Sequence, residues 1–137
     1  MLDADQASRA LGIELVEVAE GRAVTRMPVT EAMVNGHDIA HGGYVFLLAD
    51  TAFACACNSY GPVTVASGAE ISFVASARLG ETLIATAEER TRYGRNGIYD
   101  VTVHREDLAG PVVIAEFRGR SRVIERAGTG QTTEEEQ

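Results

Sequence analysis

The residues of this chain best suited to chemistry lie close together, between Asn35 and Asp50. Asp50 is the only ionisable carboxylate in the run GGYVFLLADTAFACACNSY that extends from Gly42 to Tyr60. A stretch this apolar, too long for a typical strand and rich in good helix formers, predicts a helix buried on nearly all sides. Asp50 is then expected inside the protein, where a carboxylate loses much of its hydration unless it is paired, hydrogen-bonded or protonated. It is therefore read as a catalytic acid first and a structural residue second. The helix opens at His41-Gly42-Gly43, and a helix start leaves backbone N–H groups unpaired and pointing outward. Such a terminus can stabilise an oxyanion, and Gly42 and Gly43 let an acyl group reach the backbone without meeting a Cβ. The same glycines could serve only as a tight loop-to-helix junction. Asn35 and His41 flank the preceding loop, where each can donate or accept a hydrogen bond at a substrate oxygen, a water or a carboxylate, or simply tie the loop down.

Spacing adds a constraint. Gly42 and Asp50 are separated by about 12 Å of helix axis, whereas a nucleophile or base and an oxyanion donor must each come within about 3 Å of one carbonyl group. Two antiparallel copies of the helix satisfy both requirements, which places the site across a two-fold dimer interface. Ser67 follows the helix and could orient a water if strand register turns it toward the site. Arg118, Arg120 and Arg122 alternate along the last strand and share a face, and Arg90, Arg92 and Arg95 form a second basic patch. Guanidinium rows suit phosphates, with a solvated, charge-balancing face as the alternative. His37, Asp38 and His41 match no familiar zinc spacing, so no metal is expected. Cys55 and Cys57 point about 200° apart on a helix and read as unpaired core residues. Phe46, Phe53, Tyr60 and Phe73 could line an aromatic pocket, but core packing is the preferred reading.

The elements that hold these residues follow from periodicity. The segment 3–11 reads as a short amphipathic helix, 13–18 and 23–27 as a paired hairpin ended by Pro28, and 34–43 as a glycine-rich loop entering the central helix. Four strands follow, at 63–74, 82–92, 97–105 and 112–124, and are expected to form a meander. One long apolar helix among antiparallel strands is accommodated most simply by a curved sheet wrapped around it, an α+β fold. Residues 1–125 are expected to form one domain, and 126–137 a disordered polar tail. The 137-residue length and 45% apolar content suit that reading. A net charge of −8 without a basic cluster argues against nucleic acid as a partner. No apolar run is long enough to span a bilayer, and the start of the sequence resembles no leader, so a soluble, cytoplasmic protein is expected.

The motifs Asn35-Gly36-His37, His41-Gly42-Gly43, Leu48-Ala49-Asp50-Thr51-Ala52-Phe53-Ala54 and Cys57-Asn58-Ser59 closely resemble those of the hotdog-fold acyl-CoA thioesterases of phenylacetic-acid degradation. Val65-Ala66-Ser67, Ile71-Ser72-Phe73, Gly80-Glu81-Thr82-Leu83, Ile98-Tyr99-Asp100-Val101 and Phe117-Arg118-Gly119 extend the likeness in order. The resemblance implies a hotdog fold, dimers that join into tetramers, and hydrolysis of an acyl-CoA without metal or prosthetic group, aryl-acetyl-CoA being the implied substrate. By position, it makes Asp50 the nucleophile or general base and Gly42 the oxyanion donor. It makes Asn35 and His41 polar support and Ser67 a holder of the water, while Gly43 is counted with the acyl approach on the helix start alone. Arg92 and Arg120 are local candidates for the CoA nucleotide. Phe73-Val74-Ala75-Ser76-Ala77 departs from the family in lacking an Arg-Pro after the strand. The rival readings are an acyl-CoA hydratase or dehydratase using His41 with Asp50, and a non-catalytic acyl-CoA-binding protein.

Overall fold

The computed structural model describes residues 5–124; the tail expected at 126–137 lies outside the described residues. In chain order the elements are α1 (Gln6–Ala10), β1 (Glu14–Ala19), β2 (Arg22–Pro28), a short 3₁₀ turn (Glu31–Met33), α2 (Gly42–Cys57), β3 (Thr64–Phe73), β4 (Thr82–Tyr93), β5 (Asn96–Asp107) and β6 (Gly110–Val123). The strands form a single antiparallel sheet in the order β1-β2-β4-β5-β6-β3. α2 packs against every one of them. Six strands spaced about 4.8 Å apart are much wider than one helix, so the sheet reaches α2 from both edges only by curling around it. This is the hotdog architecture that the resemblance implies. No helix among the described residues is long and apolar enough to cross a membrane.

The topology corrects one expectation. The meander is three strands long, β4-β5-β6, because the free edge of β4 is taken by β2, in a register running from Arg22↔Glu88 to Pro28↔Thr82. β3 is left with the other free edge, that of β6, and residues 74–81 carry the chain back across the sheet to β4. That crossing brings Ala77 beside the loop before α2, where the Ala40 N–H donates to the Ala77 carbonyl at 2.8 Å.

α2 sits close to the sheet because small residues face it. Ala49, Ala52 and Ala56 are fully buried under the helix, and Phe53 lies over Gly119, where a Cβ would stand 2.7 Å from the ring. Phe53 also packs against Tyr99 and Phe117, with ring centroids 5.6 and 5.8 Å apart, in the range favoured by tilted aromatic pairs. Asn58 terminates the helix and sets the start of β3. Its Nδ2 donates to the carbonyls of Ala54 and Thr64, and its Oδ1 accepts the Thr64 N–H at 3.0 Å. α1 covers the flank of α2. Its cap residue Asp5 accepts hydrogen bonds from the Ser8 N–H and hydroxyl, and the buried Ser8 Oγ lies 3.0 Å from Thr51 Oγ1.

Candidate active site

The helix is not buried all round. Val45, Leu48, Ala49, Ala52, Phe53 and Ala56 face the sheet, whereas Gly43, Leu47, Asp50 and Ala54 are half-buried or exposed. Their spacing puts those four along the side of the helix opposite the sheet. Asp50 thus sits midway along an open, mostly apolar stripe rather than inside its own protomer, which corrects the expectation of full burial. Its carboxylate has no hydrogen-bond or ion-pair partner among the described residues. Partial desolvation is the larger cause, and the neighbouring charge of Asp5 the smaller, of a pKa raised above the ordinary aspartate value. Both effects make this carboxylate more basic than a solvated one. Cys57, buried on the same helix, has its thiol pushed up to about 12, chiefly by burial; Cys55 and Cys57 are both unpaired core cysteines.

The start of α2 presents its first amides outward. His41 occupies the cap position in an extended conformation without a side-chain cap bond. The N–H groups of Gly42 and Gly43 have no acceptor among the described residues. The tip of the Phe73 ring lies against Gly42, so close that a Cβ on this glycine would stand 2.7 Å from Cζ. Gly43 has nothing within 4 Å of its equivalent position. Glycine at 42 thus allows a close approach of the ring that a Cβ would push back, and at 43 the backbone is simply bare. Phe73 is 56% exposed, whereas Phe53 is core and Phe46 and Tyr60 are half-buried. The expected core role fails for Phe73, which is the last residue of the edge strand β3 and is covered by no second strand among the described residues.

The loop before α2 is organised by Asn35. Its Oδ1 accepts the N–H groups of His37 and Ile39 at 2.8 and 3.2 Å, while its backbone pairs with Ile39 and Asp38. The side-chain amide of Asn35 keeps its Nδ2 donor without a partner among the described residues. His41 is exposed, and its backbone N–H donates to the Met33 carbonyl. Asn35 and His41 are thus fixed to the same short hairpin-like loop that delivers Gly42.

Ser67 is the extra residue of a β-bulge, between the pairs Ala66↔Ser121 and Gly68↔Arg120. The bulge explains why Thr64 and Ala66 before it and Ala69 and Ile71 after it all lie opposite inward residues of β6. The Ser67 hydroxyl donates to the Arg120 carbonyl at 3.2 Å and remains exposed at the sheet edge. The outward arginines of β6 are largely engaged. Arg118 makes a two-pronged contact with Asp100 at 2.7 and 2.9 Å, holding that carboxyl below its ordinary pKa. Arg120 meets Glu70 at 2.6 Å. Arg92 lies over the Tyr60 ring at 3.6 Å and contacts Glu89 at 3.2 Å. The structure therefore gathers Asn35, His41, Gly42 and Gly43 at one end of α2. Asp50 stands at its middle, and Arg92 and Arg120 lie on other elements. Asp5 stands near Asp50 by way of α1, and only its capping spacing to Ser8 marks it in the sequence.

Residues 37–112 match the Thioesterase superfamily. The chain is 43% identical to acyl-coenzyme A thioesterase PaaI of Escherichia coli over 96% of this chain and 91% of that protein. It superposes on the structure of the E. coli PaaI protein from the phenylacetic acid degradation operon with a TM-score of 0.85, covering 90% and 88% of the two chains. A variant of the phenylacetic acid degradation protein PaaI from Thermus thermophilus is 31% identical and gives a TM-score of 0.80 over 86% and 98%.

Proposed function

The chain belongs to the thioesterase superfamily, and on that premise we propose that it hydrolyses acyl-CoA, with aryl-acetyl groups such as phenylacetyl as its acyl class. The observation that carries this reading is the separation, on one helix, of two groups without partners among the described residues: the carboxylate of Asp50 and the amides of Gly42 and Gly43. About 12 Å of helix axis keeps them apart within a protomer. In a two-fold dimer the open stripes of two antiparallel α2 helices face each other, and Gly42 of one copy lies beside Asp50 of its partner. β3 favours the same assembly, being a ten-residue edge strand with one charge and no proline, the kind of edge that pairs readily with another copy. Dimers then associate into a tetramer.

In this reading the thioester carbonyl accepts a hydrogen bond from the Gly42 N–H, whose position at the helix start favours the negative charge that develops on the oxygen. Asp50 supplies the nucleophile in one of two ways. It attacks the carbonyl itself to give an anhydride that water then cleaves, or it takes the proton of an attacking water. Either route consumes one water and releases the free acid and CoA. Its raised basicity serves both. The free Nδ2 of Asn35 and the ring of His41 support the acyl group and the water, and Ser67 from the edge strand holds the water. Arg92 and Arg120 contact the CoA phosphates. Their present carboxylate partners are solvent-exposed ion pairs, each worth about 0–1 kcal/mol, which a phosphate can displace.

Subunit complementation tests this reading directly. Asp50→Asn and Gly42→Leu are each expected to abolish CoA release as homodimers. Unfolded together and refolded as a mixture, they give hybrid dimers with one intact site, so about a quarter of wild-type activity returns. A mixture as inactive as its components overturns the shared site. Full activity of Asp50→Asn alone overturns the chemistry. Oxygen-18 in Asp50 after a single turnover in labelled water marks the anhydride route.

A further inference from the structure

Beside the start of α2, the crossing segment 74–81 leaves an apolar groove of about 410 Å³. Phe73, Val74, Ala75, Ile39, Val45 and Ile114 wall it, Gly42 forms its inner end, and no charged side chain lines it. Phe73 is the wall that meets Gly42: its ring tip would stand 2.7 Å from a Cβ on that glycine, more than half of its surface is uncovered, and it stacks on no other ring among the described residues. Phe46, Phe53, Tyr99 and Phe117, by contrast, are already packed against one another.

A thioester carbonyl held by the Gly42 N–H carries two substituents, the acyl group and the CoA arm, and one of them must pass Phe73. The CoA arm bears amides, a hydroxyl and charged phosphates, whereas Ser76 is the one polar side chain lining this groove and no charged one does. A hydrocarbon group leaves no polar group unsatisfied on entering it and gains the burial of both surfaces. We propose that Phe73 and the groove behind it form the acyl pocket of this enzyme, with the unpaired Phe73 ring selecting planar aryl-acetyl groups over straight chains. This rests on the thioesterase reading above and adds to it the residue that sets acyl preference. The Gly42 side of the ring meets the carbonyl end of the acyl group, and the face toward Ala75 and Ile114 receives its aromatic end.

The test is a panel of phenylacetyl-, cyclohexylacetyl-, hexanoyl- and acetyl-CoA assayed with wild type, Phe73→Leu and Ala75→Leu. All three proteins are checked for the same oligomeric state. Phe73→Leu keeps an apolar side chain and removes the ring. The ratio of kcat/KM for phenylacetyl over hexanoyl esters is expected to fall roughly three- to tenfold, the worth of one aromatic pair. Ala75→Leu fills the groove from another lining position, so the preference for phenylacetyl over acetyl is expected to fall by at least a similar factor without any change to the ring. Ratios unchanged in both variants overturn the acyl pocket. So does a uniform rise in KM for every ester together with weaker inhibition by free CoA, since that pattern places the CoA arm in the groove. A wild-type protein that hydrolyses none of the panel overturns the thioesterase reading itself, a result distinct from active enzymes with unchanged ratios.

Discussion

Gly42→Ala is the sharpest single probe of the helix start. The added carbon would stand 2.7 Å from Cζ of Phe73 and 3.1 and 3.3 Å from its two Cε atoms. Carbon atoms rest comfortably at about 3.5–4.0 Å, so the ring, or the first turn of α2, must move by about 1 Å. The ring is mostly exposed and can yield at little cost, and alanine is a better helix former than glycine by about 1 kcal/mol. The melting temperature should therefore hold or rise. Catalysis is where the loss is expected. A displacement of about 1 Å at a reacting centre costs about a hundredfold, and the new methyl occupies the approach to the amide meant to bind the carbonyl oxygen. Thiol release from acetyl-CoA and from phenylacetyl-CoA, followed with a chromogenic disulfide, should show kcat/KM lowered about a hundredfold for both. Removing the ring in a Gly42→Ala/Phe73→Ala double variant frees the helix start to settle back. Acetyl-CoA turnover should then recover about tenfold, a non-additive result that reveals the contact between the two positions. Wild-type kcat/KM in Gly42→Ala would refute the placement of the reacting carbonyl at this amide. A strictly additive double variant would refute the role of the ring.

Two further outcomes concern the carboxylates. Asp50 is raised by desolvation first and by Asp5 second, so Asp5→Asn, which keeps an acceptor for the Ser8 N–H, removes the second cause alone. The acid limb of the kcat/KM profile, which reports ionised Asp50, should move to lower pH, and an unmoved limb would remove Asp5 from the site. The same raised pKa makes the folded state hold a proton more readily than the unfolded state. The stability contributed by Asp50 is therefore greatest below pH 3.8 and falls as pH rises through its folded-state value. Asp50→Asn should match or exceed wild type in thermal stability at pH 7 and lose that advantage in acid, as read from melting curves across the pH range.

Periodicity and turn residues were enough to place the central helix, the hairpin before it and the strands after it, because each is long and its hydrophobic pattern is regular. The pairing of β3 was not legible. Nothing local tells a strand which of two free edges it will meet, and here β2 holds the edge of β4. The partial exposure of Asp50 is hidden in the sequence for a related reason. A run of Leu, Ala, Phe and Cys reads as buried all round, but in this helix the half-exposed residues are as apolar as the hidden ones, with Leu47 and Ala54 on either side of the acid. A pattern of this kind marks a surface meant for another protein chain as readily as a core. Phe73 likewise reads as core from its type alone. Its position at the end of an edge strand, known only from the three-dimensional register, leaves it at the mouth of a groove.

The open stripe on α2 and the bare edge of β3 are liabilities for a lone protomer. One exposes apolar surface around a charge, the other a row of unpaired backbone groups. Both lie on the elements that carry the proposed chemistry: Asp50 belongs to the stripe, and Ser67 and Phe73 to the edge strand. A protomer that hid either surface with its own chain would also hide the carboxylate from any second helix start, and the helix's own length keeps Asp50 from its own Gly42. In the proposed dimer, stability and activity therefore make the same demand, that the two surfaces stay uncovered by the described residues of their own chain and be covered by a second copy.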